Sequence, residues 1–179
     1  TNCLICASGK TPWNESTSHI CRSISPEGGV LALGEGWPVD GDGSAEIIAY
    51  DHILDGRTGA VEVVLEHDGT TPYMMASVGD IDLDGEQEIV LGRHVYSLDG
   101  SIEWSAELIG ERGHWSAIVN ADEDEHGEVV MIAAGRLAVY QHDGTLRVDV
   151  AAGAGNIGAP CVADFDGDGA PEVGWASNN

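Results

Sequence analysis

Asp80-Ile-Asp-Leu-Asp-Gly-Glu-Gln-Glu88 and Asp164-Phe-Asp-Gly-Asp-Gly-Ala-Pro-Glu172 are two copies of one nine-residue acidic loop. Two further segments align with them without gaps, namely Pro38-Val-Asp-Gly-Asp-Gly-Ser-Ala-Glu46 and Asn120-Ala-Asp-Glu-Asp-Glu-His-Gly-Glu128. The four copies begin 42, 40 and 44 residues apart. Runs rich in β-forming residues flank them, such as residues 74–78 before the second copy and 89–91 after it. The chain is therefore built from internal repeats.

Turn signals divide each repeat into short strands. Asp-Gly, a strong signal for a β-hairpin, occurs at Asp55-Gly56, Asp68-Gly69, Asp84-Gly85, Asp99-Gly100 and Asp143-Gly144. Apolar and polar residues alternate after these turns, as in Ile102, Trp104 and Ala106, and no segment carries a helical stripe. The sequence predicts an all-β fold of β-propeller-type blades, with four antiparallel strands in each of about four repeats of 40–44 residues. The repeats occupy residues 30–179, and residues 1–29 are predicted to be an N-terminal cap or connecting segment.

Charge excludes several classes of partner. The 179 residues include 31 Asp plus Glu and 7 Lys plus Arg, which gives a net charge of −24. So little positive charge argues against binding to nucleic acid or to an anionic membrane surface. No apolar run approaches the ~20 residues that span a bilayer, so membrane insertion is not expected. A hydrophobic content of 42% with five Trp indicates a folded chain rather than a disordered one.

The acidic loop has the composition of a calcium site. Acids at positions 1, 3 and 5 converge if the loop curls, a Gly at position 6 permits the turn, and the position-7 carbonyl and position-9 Glu add oxygens. An all-oxygen, carboxylate-rich and flexible site favours Ca²⁺ over Mg²⁺. The four loops hold 17 of the 31 acidic residues, and such crowding is unfavourable without a cation. The alternative is a solvated acidic turn, which fits the first loop best because Pro38 has no ligand atom.

An EF-hand is the rival motif for Asp-x-Asp-x-Asp-Gly. Its loop needs a bidentate acid at position 12. Position 12 here is apolar in every copy, being Ala49, Leu91, Met131 or Trp175. The acid lies at position 9 instead, and a β run follows rather than a helix, so an EF-hand is not expected.

The loops resemble the FG-GAP repeats, also called VCBS-type repeats, of integrin α-subunit propellers and of many bacterial secreted proteins. The second and fourth loops carry the closest match, and the resemblance covers roughly residues 30–179. It implies an extracellular, calcium-braced scaffold that binds a protein or glycan ligand at the cell surface or in the matrix. Residue by residue, it assigns calcium ligands to Asp80, Asp82, Asp84, the Glu86 carbonyl and Glu88; Asp164, Asp166, Asp168, the Ala170 carbonyl and Glu172; Asn120, Asp122, Asp124, the His126 carbonyl and Glu128; and Asp40, Asp42, the Ser44 carbonyl and Glu46.

The four cysteines are Cys3, Cys6, Cys21 and Cys161. A zinc site would need a second compact pair, which the sequence lacks. Free buried cysteines remain an alternative, but a secreted calcium-binding chain favours two disulfides, which must join Cys161 to the N-terminal segment. Asn14 begins an N-glycosylation sequon.

The sequence does not predict an enzyme. Its seven His are scattered, and it contains no nucleophile elbow, P-loop or dinucleotide-binding fingerprint. The alternative is a carbohydrate-binding module or polysaccharide lyase built on a calcium-braced propeller, in which Trp13, Trp37 or Trp115 would stack on sugar. The preferred interpretation is a secreted calcium-binding scaffold with a structural or adhesive role.

The fourth repeat ends within its second strand, which would leave an unpaired sheet edge. We expect residues 1–29 to complete this blade, either in the same chain or in a neighbour. Exchange between chains would allow self-assembly into oligomers or filaments. Further blades in a longer chain are the third possibility.

Overall fold

The computed structural model describes residues 22–25, 28–32, 46–66, 76–107, 115–122, 124–153 and 158–177. These residues form β-strands, turns and short connections, and the prediction of an all-β fold is confirmed for them. No helix in this described part is long and apolar enough to cross a membrane.

In the described residues fifteen strands form four sheets, and every pairing joins consecutive strands in antiparallel order. The first sheet contains β1 (Arg22–Ser25), β2 (Gly28–Ala32), β3 (Glu46–Ala49), β4 (His52–Asp55) and β5 (Val61–Val64). The second contains β6 (Ser77–Gly79), β7 (Glu88–Leu91), β8 (His94–Tyr96) and β9 (Ile102–Ser105). The third contains β10 (Trp115–Val119), β11 (Glu128–Ala133), β12 (Arg136–Tyr140) and β13 (Leu146–Ala151), and the fourth β14 (Cys161–Ala163) and β15 (Glu172–Gly174).

Successive sheets pack face to face in chain order. On β7, Ile89 and Leu91 contact the first sheet, whereas Val90, which points the other way, contacts the third. On β11, Met131 packs against the second sheet and Ile132 packs toward the fourth. Both faces of the middle sheets are thus buried, which explains why β7 and β11 are apolar runs without alternation. The three interfaces form the hydrophobic core.

The Asp-Gly turns differ in detail from the predicted hairpins. Gly100 and Gly144 have φ of +88° and +82°, while neither Asp99 nor Asp143 has positive φ. Each Asp instead accepts a hydrogen bond from the amide two residues later, at 2.9 Å in both turns. The two strands joined by each turn also shift register near the turn, which is typical of a type I turn with a bulge. In the first sheet the positive φ is at Gly59, so the turn there is longer.

Part of the N-terminal segment belongs to the first sheet. β1 pairs with β2, so residues 22–25 form a fifth strand and do not complete the fourth sheet. This corrects the prediction for these residues, while residues 1–21 lie outside the described chain. Cys161 forms no disulfide with a described residue, and its Sγ lies 3.4 Å from the Gly174 carbonyl. The described part therefore contains no disulfide at this cysteine, and its pairing with Cys3, Cys6 or Cys21 stays a prediction.

Candidate metal centre

The acidic loops occupy the same place in three sheets. Each joins the first strand of the meander to the next one: the second loop (80–88) follows β6, the third (120–128) follows β10, and the fourth (164–172) follows β14. The last residue of each loop is a Glu that begins the following strand. The two strands hold the ends of each loop side by side, so the chain between the strands must curl.

The fourth loop brings together all four acids that the sequence predicted. One carboxylate oxygen from each of Asp164, Asp166, Asp168 and Glu172 lies within 4.8 Å of the others. Asp164 turns inward because its Oδ1 accepts from the Gly167 amide at 2.6 Å and its Oδ2 from the Gly169 amide at 3.0 Å. Gly169, at position 6, has φ of +94°, as the turn requires.

The second loop brings together three acids. Asp80, Asp82 and Glu88 meet within 4.8 Å, whereas Asp84 is not part of this group and its Oδ1 accepts from the Glu86 amide at 2.8 Å. Oδ1 of Asp80 is buried and has no hydrogen-bond partner among the described residues. A buried carboxylate oxygen without a donor is costly, so a cation would satisfy it. Gly85 at position 6 has φ of +95°, which confirms its predicted role.

The third loop also gathers three acids, Asp122, Asp124 and Glu128, within 4.8 Å. Glu128 is fully buried, and its Oε1 has no hydrogen-bond partner in the part of the chain that the structure describes. Nδ2 of Asn120 donates to the Asp124 carbonyl at 2.7 Å, a bond that does not use Oδ1, so the ligand role of Asn120 stays a prediction. This side-chain hydrogen bond holds the loop together from position 1, as the hydrogen bonds accepted by Asp164 do in the fourth loop.

The position-7 residues are held by the acids before them. The amides of Glu86, His126 and Ala170 each donate to the position-5 carboxylate, at 2.8 Å in all three loops. The carbonyls of these residues are the predicted backbone ligands. The first loop cannot be compared, since Asp40, Asp42 and Ser44 lie outside the described residues. Its last residue, Glu46, begins β3 and is buried.

Burial and crowding of charge raise the pKa of the position-9 carboxyls. The pKa of Glu88 is raised to about 8, mainly by burial and also by the charges of Asp82, Glu103 and Asp80, while the hydrogen bond from the Ile81 amide lowers it. Burial likewise raises the pKa of Glu128, and Asp122 and Asp124 add to this. These carboxylates favour a bound cation, either a proton or a metal ion. The oxygen-only donor sets fit a hard metal such as Ca²⁺.

Two residues near the third loop were missed by sequence reasoning. Gln141 Nε2 donates to Asp122 Oδ2 at 3.2 Å, and Arg147 Nη1 lies 3.1 Å from the same oxygen. Gln141 precedes the Asp143-Gly144 turn and Arg147 follows it, so their places beside the turn could be read from the sequence, but their approach to Asp122 could not. His126 of the loop also stacks on His142 of that turn, with ring centroids 4.1 Å apart.

The remaining predicted sites are placed only in part. Trp115 lies on β10 opposite Ile132 and is half-buried, so it is not a fully exposed sugar platform. Trp13, Trp37, Asn14 and the three N-terminal cysteines lie outside the described residues. His94 is buried in the core, with Nδ1 2.7 Å from Ser105 Oγ.

Comparison with known proteins shows that the fold of this chain is similar to part of a solved structure. No protein-family model matches the chain, and no curated protein matches its sequence. A solved structure, the crystal structure of the V. cholerae biofilm matrix protein Bap1, is similar with a TM-score of 0.54 and 23% sequence identity. The match covers 74% of this chain and 22% of Bap1, so the chain spans about a fifth of that protein's length.

Proposed function

We propose that this chain is a calcium-braced scaffold of FG-GAP or VCBS-type propeller blades, with a structural or adhesive role outside the cell. The observation that carries the proposal is the recurrence of one donor set. Three loops in equivalent positions each bring three or four carboxylates within 4.8 Å. Buried oxygens without hydrogen-bond partners at Asp80 and Glu128 point to a cation as their missing partner.

Calcium in these loops would stabilise contacts between sheets as well as within them. The Gly127 amide of the third loop donates to the Ile81 carbonyl of the second loop at 2.9 Å. Ile81 itself is buried in the interface between the second and third sheets. Ordering the second loop therefore orders a contact with the next sheet, which is the basis for describing the calcium sites as braces.

The propeller part of the proposal is supported by the way one sheet follows another. Ser77 on β6 donates from Oγ to the Ser116 carbonyl on β10 at 3.2 Å, so the first strands of neighbouring sheets adjoin. β10 in turn contacts β14 of the fourth sheet. In a propeller, the first strands of successive blades adjoin one another near the central axis, and the outer strands lie further from it.

A structural or adhesive role is favoured by two observations of different kinds. The similar solved structure is that of a biofilm matrix protein. Most clustered acids in this chain lie in loops with a proposed metal role, which leaves few for catalysis. We therefore propose a protein or glycan ligand in the matrix or at the cell surface, and no enzymatic activity.

The test is calcium-dependent stability. Extracellular calcium modules commonly have Kd of about 10⁻⁴–10⁻³ M, so 5 mM Ca²⁺ would fill most sites. Because calcium binds the folded state only, each site should stabilise the folded chain by about 1–2 kcal/mol at this concentration. We expect the melting temperature to rise by several degrees from chelator to calcium, and Asp166→Ala to lose part of that rise.

Glu66→Ala is the matched control, because Glu66 is an exposed acid outside the loops. It should keep the full calcium response. Identical melting curves in calcium and in chelator for the unmodified chain would rule out the proposed function.

A further inference from the structure

Asp122 in the third loop already has a cationic partner within the protein. Arg147 on the outer strand β13 places Nη1 3.1 Å from Asp122 Oδ2, and Gln141 Nε2 donates to the same oxygen at 3.2 Å. The Asp124 amide donates to Oδ1 at 2.9 Å. Both oxygens of this carboxylate are therefore engaged by donors of the chain. Such donors lower the pKa of Asp122, led by the Asp124 amide and then Gln141, with Arg147 adding to them.

The equivalent acids of the other two loops lack such a partner. Asp82 and Asp166 each use Oδ1 to accept from the amide two residues later, at 3.2 Å and 3.1 Å. Among the residues that the structure describes, no Lys or Arg forms an ion pair with either of them. The second oxygen of these two acids is thus available to a metal ion, unlike that of Asp122.

The difference arises from a reversal of charge at one position of the hairpin. The two turns have the same bonding, since the Gly100 amide donates to the Ser97 carbonyl at 3.0 Å and the Gly144 amide to the Gln141 carbonyl at 2.9 Å. Three residues after the glycine stands Glu103 in the second sheet and Arg147 in the third. Glu103 adds negative charge near Glu88, whereas Arg147 adds positive charge near Asp122 and Glu128.

We propose that Arg147 is a built-in counter-ion of the third loop, which keeps this loop ordered without calcium and gives it the weakest calcium affinity of the three described loops. The inference rests on the proposed calcium function. A Ca²⁺ ion entering the third loop must displace the guanidinium from Asp122 or bind beside a positive charge, and both cost affinity. The unpartnered Glu128 Oε1 still points to a cation site there, so binding is weakened rather than abolished.

The consequence is a chain with two classes of calcium site. The second and fourth loops depend on the metal to offset their carboxylates. The third loop is partly neutralised by the protein, so the third sheet, whose two faces are packed on its neighbours, would stay ordered as calcium falls. Loss of calcium would then loosen the second and fourth loops first.

The experiment is a calcium titration of ¹⁵N-labelled protein by NMR, which resolves the three loops in one sample. The amides of Glu86, His126 and Ala170 report on the second, third and fourth loops, because each donates to a candidate ligand or its neighbour in the loop. In the unmodified chain the His126 amide should reach its end point at the highest calcium concentration. Arg147→Gln should tighten binding at the third loop by about fivefold or more and leave the other two within about twofold.

Arg136→Gln is the matched control. Arg136 is the other Arg of the same sheet, and it pairs with Asp149 at the end away from the third loop. Its removal changes the net charge equally and should shift the third-loop affinity by less than about twofold. Arg147→Lys keeps the charge and should keep the low affinity. In chelator, Arg147→Gln should melt at a lower temperature than Arg147→Lys, and calcium should remove most of the difference.

The outcomes separate this inference from the proposed function. Calcium-induced shifts in the second and fourth loops, with third-loop affinity the same in the unmodified chain and Arg147→Gln, would overturn the counter-ion role alone. An equal tightening by Arg136→Gln would do the same, since the effect would then be one of net charge. If no amide responds to calcium in any loop, the proposed function and the counter-ion role are both wrong.

Discussion

The position-9 acid of each loop closes the loop from the first residue of the following strand. These acids are Glu88, Glu128 and Glu172. One oxygen of each accepts from the amide of the loop's second residue, at 2.7 Å from Ile81, 2.5 Å from Ala121 and 2.7 Å from Phe165. The position-9 acid therefore shapes the loop in addition to its predicted role as a metal ligand. Since Glu88 and Glu128 are buried, their charge is costly until a cation arrives.

The raised pKa of Glu88 predicts how the metal-free protein responds to pH. Its pKa is about 8 in the folded chain and near the ordinary 4.5 in the unfolded chain, so the folded state binds the extra proton between these values. Stability should therefore be greatest below about pH 4.5 as far as this group is concerned, and fall as pH rises toward 8. Urea midpoints in metal-depleted buffer at several pH values measure this.

Glu88→Gln should flatten that part of the pH profile, because the amide does not titrate. Glu86→Gln, at an exposed position of the same loop, should leave the profile unchanged. A metal-free profile that rises between pH 5 and 8, and is unaltered by Glu88→Gln, would contradict the assignment.

At the scale of the elements, the turn glycines have two functions. Gly144 adopts a positive φ, and a Cβ placed on it would lie 2.9 Å from Cδ2 of Trp104 in the neighbouring sheet. Trp104 also donates from Nε1 to the His142 carbonyl at 2.9 Å. Gly100 packs closely against the first sheet in the same way, because a Cβ placed on it would lie 2.7 Å from Val63 Cγ1. The hairpin turns are therefore docking points between sheets.

Gly144→Ala should cost more stability than Gly59→Ala. Gly59 also has a positive φ, of +71°, but a Cβ there would meet no atom within 4 Å. We expect about 1 kcal/mol for Gly59→Ala, from backbone strain alone, and about 2–4 kcal/mol for Gly144→Ala, from strain plus the clash with the indole ring. Denaturant unfolding of the two variants in excess calcium measures the difference. Equal losses would mean that the turn does not bear on the sheet interface.

At the scale of the whole molecule, position 2 of the second loop links the second sheet to the third. Ile81, at position 2 of the second loop, is 1% exposed between the second and third sheets. Phe165, at position 2 of the fourth loop, is 59% exposed. Ala121, at position 2 of the third loop, is also exposed, although the fourth sheet follows the third, so this buried contact belongs to the second loop.

Truncation of these two side chains should change the free energy of unfolding by very different amounts. Ile81→Ala should lower the free energy of unfolding by about 2–4 kcal/mol, because it leaves a cavity in a packed interface. Phe165→Ala should change it by less than about 1 kcal/mol, because little buried surface is lost. Thermal and urea unfolding of the isolated chain test this; a large loss for Phe165→Ala would show that the ring is covered in solution.

The sequence by itself determined the repeat, the order of strands within a sheet and the four acids that meet in the fourth loop, whereas in the second loop it also named Asp84, which lies outside the group of three. These features are local: strand alternation, turn residues and loop spacing are encoded within about 40 residues. It also placed Gly85 and Gly169 where a positive φ is needed.

Only the tertiary structure decided how the sheets stack and what meets across them. A buried strand such as β7 is apolar on both faces, so its pattern does not say which neighbour each face contacts. The pairing of β1 with β2 was missed for a related reason, since a polar segment such as Arg22–Ser25 carries little apolar signal. The approach of Arg147 to Asp122 depends on the register of β13 and the curl of a loop 25 residues earlier, and no local rule fixes both.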